Sequence, residues 1–144
     1  LDDKFKKTQQ PLLFRGTHMA EAQVEEYAEV ELNFRETIQS GQGVRITHSF
    51  REEGHITRVL FHFPPGCNGL VEMRLLKDER AFFPVQGHLA LDSATPERQN
   101  MNVTYYANEP MTLEVLNRDA ENPHTPTCTV TIKYKRPWWY GKRG

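Results

Sequence analysis

The feature that most constrains this chain is a two-residue hydrophobic period, broken by turns and repeated along most of its length. Val30, Leu32 and Phe34 alternate with Glu29, Glu31, Asn33 and Arg35. Val44, Ile46, His48 and Phe50 alternate with Arg45, Thr47 and Ser49. In an extended chain successive side chains point to opposite faces, so such a pattern buries one face of a strand and wets the other. The period recurs in Val71, Met73 and Leu75, in Met101, Val103 and Tyr105, in Met111, Leu113 and Val115, and in Cys128, Val130, Ile132 and Tyr134. Between Ile56 and Phe63 the expectation is one face of Thr57, Val59, Phe61 and Phe63, with Ile56, Leu60 and His62 opposite.

Turn residues punctuate these runs. Pro64-Pro65-Gly66-Cys67-Asn68-Gly69 stops one strand, and Lys77-Asp78-Glu79-Arg80 is a charged hairpin turn. Ala81 to Val85 is a short strand broken by Pro84, and His88 to Leu91 is another short one. About eight to ten strands at such spacing, with no confident helix between them, predict an antiparallel β-sandwich or barrel. Parallel pairing would need helical crossovers for which there is no room. The expected fold is all-β: an antiparallel sandwich, jelly-roll-like, with an immunoglobulin-like sandwich as the alternative. The Cys–Trp–Cys spacing of the latter is missing, because Trp138 and Trp139 both lie near the C-terminus.

The ends differ from the middle. Residues 1–19 mix charge with scattered apolar positions and are broken by Pro11 and Gly16, which predicts an extended arm. Gly16-Thr17-His18-Met19 resembles a cloning scar before a start Met, so the arm is either native or partly vector-derived. Alternation from Ala20 admits a strand or, over 18–28, a helix capped by Thr17. We take 27–35 as strand and leave 18–26 open. The domain is therefore expected over 20–136 and a tail over 137–144. After Glu121 the chain carries no acid, and Trp138, Trp139 and Tyr140 sit among Lys135, Arg136, Lys142 and Arg143.

Composition narrows function. With 144 residues, 38% hydrophobic and 26% charged, the chain suits one globular domain. Its net charge of -1 gives no global field for nucleic acid. No apolar run approaches the roughly 20 residues of a membrane span, and Leu1-Asp2-Asp3-Lys4 has no signal-peptide core. Cys67 and Cys128 are expected as free thiols, with a disulfide between them as the alternative.

Catalytic signatures are sparse. No histidine pair has cupin spacing, so His48, His62, His88 and His124 would have to converge in space to hold a metal. Cys67 sits in a turn with no base nearby in sequence. Glu52, Glu53, Asp78 and Glu79 fall in turns, and Glu72 and Glu114 on the polar faces of strands. Asp92–Asn100 and Asn117–Pro126 are polar loops whose oxygens match no calcium pattern. We expect no catalytic, cofactor-binding or metal-binding residues and no cofactor.

The preferred reading is a non-enzymatic assembly subunit, such as a viral capsid, decoration or head–tail protein or a surface-filament subunit. Its arms would contact neighbours through Phe5, Leu12, Leu13, Phe14, Trp138, Trp139 and Tyr140. Partners would be further copies or other structural proteins, in a virion or extracellular assembly, with no nucleic acid. The alternative is a carbohydrate- or receptor-binding module with Tyr105, Tyr106, Trp138 or Trp139 as platform. A cupin-like metal enzyme comes third.

Overall fold

Where the sequence alternates, the chain is extended. The structure is a computed structural model and describes residues 26–136. Among these are nine strands: β1 (Tyr27–Arg35), β2 (Gly43–His48), β3 (Gly54–His62), β4 (Val71–Lys77), β5 (Arg80–Phe83), β6 (Glu97–Arg98), β7 (Val103–Tyr105), β8 (Met111–Asn117) and β9 (Thr127–Lys135). Residues Ala28–Tyr134 form one compact unit. The arm, the tail and the open stretch 18–25 lie outside the described residues.

Two antiparallel sheets divide the strands. One runs β1-β9-β3-β6, with β7 also on β3; the other runs β2-β8-β4-β5. The pairs nest: β1 with β9, β2 with β8, β3 with β6 and β7, β4 with β5. This is an all-β sandwich with the jelly-roll order of a wound ribbon. The immunoglobulin-like alternative would have strands A, B, E and D facing C, F and G.

The inward faces supply the core. Phe34, Val59, Phe61 and Val130 of the first sheet meet Met73, Leu75, Leu113 and Val115 of the second, all buried. Burying each such side chain contributes about 1.5–3 kcal/mol. Phe61 stands edge-on to Phe63 at 6.3 Å and to Phe83 at 4.9 Å, so aromatic packing runs from β3 to the end of β5.

β3 departs from the expected face. Ile56 is fully buried, on the same side as Val59 and Phe61. Its pairing with β9 shifts register between Ile56 and Arg58, so Thr57 is the extra residue of a β-bulge and the phase of the alternation flips there. At the start of this strand Gly54 is required: a Cβ there would collide with the Lys133 carbonyl oxygen.

Two further expectations change. The stretch 88–91 is not a strand; only Leu89 pairs, bridging Met73 through backbone bonds of 2.8 and 3.0 Å. Asp92–Asn100 is more ordered than its polarity implies, because Ala94 bridges Phe63 and β6 pairs with Val59 and Leu60. The predicted hairpin turn is present. Asp78 and Glu79 take φ of 51° and 67°, the left-handed pair of a two-residue turn, and Asp78 N donates to Pro110 O at 2.8 Å.

Candidate functional site

The predicted partner residues Phe5, Leu12, Leu13, Phe14, Trp138, Trp139 and Tyr140 all lie outside the described residues. The remaining candidates fall in three places.

The first is one end of the sandwich, where the 64–69 loop meets Asn117–His124. Asn117, at the end of β8, is fully buried. Its amide donates to Ile38 O at 3.0 Å and Asn122 O at 2.9 Å, and its carbonyl oxygen accepts from Asp119 N at 2.9 Å. Asp119 Oδ1 accepts from Glu121 N at 2.9 Å and Asn122 N at 3.2 Å. Its other oxygen accepts from His124 Nε2 at 2.8 Å. These bonds, the Glu121 amide first and the His124 ring next, lower the Asp119 pKa to about 2. Asp92 acts similarly nearby, accepting from Gly66 N and Asn68 N, both at 3.0 Å. The oxygens of Asn117, Asp119 and Asp92 are therefore spent on the protein's own backbone amides and on the His124 ring.

Cys67 lies within this end and is fully buried. Burial raises its pKa, and Asp92 and Asp119 raise it further. That is the opposite of what a nucleophilic thiol needs. Cys128 on β9 is also buried, with its pKa raised by burial, and both cysteines are free thiols.

The histidines do not gather. The His48 ring packs on Phe34 at 4.8 Å, His62 Nδ1 is 3.1 Å from Thr95 Oγ1, and His124 faces Asp119. His55 and His88 are exposed. Among the described residues no group of three or more His, Cys, Asp or Glu side chains could hold a metal. Glu72 and Glu114 lie on the polar face, as expected. Glu114 is shared by Arg74 at 2.8 Å and Arg45 at 3.3 Å across three strands, and Glu72 pairs with Arg118 at 2.7 Å. Solvated pairs like these contribute little each.

The second place is the margin of the first sheet. β1 is nine residues long and pairs with β9 on one side only, among the described strands. From Ala28 onward its exposed face carries Glu29, Glu31, Asn33 and Arg35. β2 is the corresponding margin of the second sheet, six residues long.

The third place is a lateral cleft beside β5. One hollow of about 280 Å³ is lined by Lys77, Asp78, Arg80, Phe82, Tyr106 and Glu109. A second, of about 430 Å³, shares Ala81 and Phe82 with it and extends past Val85 to Asn100 and Asn102. Here the platform expectation is corrected in half. Tyr105 is fully buried, its hydroxyl accepting from Phe50 N at 2.7 Å and donating to Glu109 O at 2.6 Å. Tyr106 is 63% exposed. The alternation Met101, Val103, Tyr105 already turned Tyr106 outward. Nothing in the sequence marked Phe82 as sharing a hollow with that ring, or Asn100 and Asn102 as lining the adjoining one.

Neither a family model nor a curated protein matches the chain. Solved structures that are similar in part include the following three. The crystal structure of FLHE has 15% identity and a TM-score of 0.42, over 76% of this chain and 98% of that one. A Bacillus endospore appendage, of a family described as disulfide-linked pili, has 13% identity and a TM-score of 0.45, over 79% and 92%. The Yersinia pseudotuberculosis-derived mitogen has 12% identity and a TM-score of 0.42, over 76% and 87%. Likenesses of this depth say nothing about what the chain does.

Among the described residues no helix is long and apolar enough to cross a membrane.

Proposed function

We propose that this chain is a non-enzymatic structural subunit, a β-sandwich whose terminal arms contact neighbouring subunits. Viral capsid, decoration or head–tail proteins and surface-filament subunits are the matching classes. The observation that carries the reading is β1. It is the strand into which the N-terminal arm leads, and it stands at a sheet margin with one described partner. A margin of this kind presents backbone donors and acceptors to an incoming strand.

Charge favours an arm as that strand. A second antiparallel copy of β1 centred on Val30 would set Glu29 against Glu31, which like-charge repulsion disfavours, and only a shift to a centre at Leu32 would set Glu29 against Arg35. The arm instead carries Lys4, Lys6, Lys7 and Arg15 against Asp2 and Asp3. Leu12, Leu13 and Phe14 would supply apolar anchors, and Trp138, Trp139 and Tyr140 a second set.

The test is mass in solution by light scattering. The full chain is compared with one lacking residues 1–18 and 137–144, with circular dichroism to confirm that the shorter chain keeps its strands. A discrete oligomer that becomes a folded monomer on trimming is the expected result. A full chain that is monomeric at every concentration would overturn self-assembly.

A further inference from the structure

We propose that the lateral cleft beside β5 is a glycan-binding site, taking an uncharged pyranose unit against the Tyr106 ring. This goes beyond the assembly reading and does not depend on it.

The ring is exposed on a turn whose backbone is held. Tyr106 N donates to Glu109 Oε1 at 3.0 Å, and Tyr106 O accepts from Glu109 N at 2.9 Å. Glu109 is itself held by Lys77 at 2.8 Å, with side chains only 9% and 16% exposed. The Lys77 ammonium lies 5.6 Å from the centre of the Tyr106 ring. A large aromatic left in water on so constrained a turn loses little freedom when a ligand covers it. The face of an aromatic ring is electron-rich, and the axial C–H groups of a pyranose present a weakly positive, apolar face to it.

The surroundings select the chemistry. Lys77 and Arg80 share the smaller hollow, where the Tyr106 ring lies, with Asp78 and Glu109, so its charges balance; Arg98 adds one positive charge at the larger hollow. A phosphate or a polyanion would meet two carboxylates in the smaller one, and a polycation two bases. An uncharged polyol meets donors and acceptors alike. In the larger hollow Asn100 and Asn102 each offer an amide that can donate and accept, which suits adjacent hydroxyls. Its volume is about 430 Å³ and it is open to solvent, a shape that suits one face of a sugar ring rather than an engulfed ligand. An added peptide strand fits less well, because β5 is four residues long and Pro84 follows it at once.

The experiment is a glycan array probed with the full chain, followed by titration calorimetry on the best hit. A neutral oligosaccharide should bind, and saturation-transfer NMR should place its ring protons against an aromatic residue. Tyr106→Ala should weaken binding at least tenfold with no change in melting temperature. Tyr106→Phe should retain it, since stacking needs the ring rather than the hydroxyl. Asn102→Ala should weaken it, and Leu116→Ala, at the opposite end of β8 from the Met111–Lys77 pair, should not. An array without neutral-glycan hits, or a hit whose affinity survives Tyr106→Ala, would overturn the proposal. Should Tyr106→Ala misfold, Asn102→Ala and the saturation-transfer contacts decide in its place.

Discussion

Two Asn-containing stretches of this chain use their polar side chains in opposite ways. Asn117–His124 and Asn100–Glu109 both mix Asn with an acid and punctuate the strands around them. In the first, the two buried polar side chains are bonded to backbone, Asn117 to Ile38, Asn122 and Asp119 and Asp119 to Glu121 and Asn122, while Arg118, Glu121 and Asn122 are exposed. In the second, Asn100 and Asn102 line an open hollow and Tyr106 faces water, while only Tyr105 and Glu109 are committed. A polar loop becomes a candidate site only after its internal hydrogen bonds are counted. The first is a clasp; the second has groups to spare.

The sharpest way to break this contrast is to remove one amide from each. Asn117→Ala deletes three hydrogen bonds at a fully buried position, and should lower unfolding stability by about 2–4 kcal/mol. Asn102→Ala should change it by less than about 0.5 kcal/mol. Urea unfolding of both variants gives the comparison directly. Equal midpoints would mean that the clasp does not hold the end of the sandwich closed.

The adjacent tyrosines repeat the test at single-atom scale. Tyr105→Phe removes a hydroxyl bonded at both sides inside the core, and should cost about 1–2 kcal/mol. Tyr106→Phe should leave the unfolding midpoint where it is. If Tyr105→Phe were as silent, the hydroxyl's tie between Phe50 and Glu109 would contribute nothing.

A smaller effect comes from acid. Asp119 has a folded pKa of about 2, below the roughly 3.9 of an unfolded aspartate. Between those values the unfolded chain binds more protons than the folded one, so stability rises with pH there. The clasp's contribution is full above about pH 4 and is lost as pH falls toward 2. Melting temperature followed from pH 5 to pH 2 should fall less steeply in Asp119→Asn than in the parent. Parallel curves would remove Asp119 from the account.

Most of the fold was legible because a sandwich writes itself as alternation: each strand has one wet face, and Val, Ile, Leu and Phe mark the dry one. Ile56 was misplaced because a bulge is set by the partner strand, and nothing in Gly54–His62 alone shows that β9 skips Thr57. The stretch 88–91 looked like a strand because two apolar residues suffice for the pattern, whereas pairing needs a free neighbour and β4 offers Leu89 one bridge. The clasp and the cleft could not be told apart in sequence. An Asn that caps a backbone and an Asn that waits for a ligand are the same letter.

The cleft itself supplies the smallest stability effect and the most discriminating one. Tyr106→Ala removes a side chain that is 63% exposed, so its loss of burial is slight and the unfolding midpoint should move by less than about 0.5 kcal/mol. Lys77 and Glu109 remain paired at 2.8 Å without it, because their bond does not pass through the ring. If the variant is instead destabilised by 2 kcal/mol or more, on the order of a core aromatic truncation, the ring is packing against its own domain. The contrast with the clasp would then disappear, because both polar stretches would be structural. A silent substitution leaves the ring with no structural duty, and the contrast with the clasp stands.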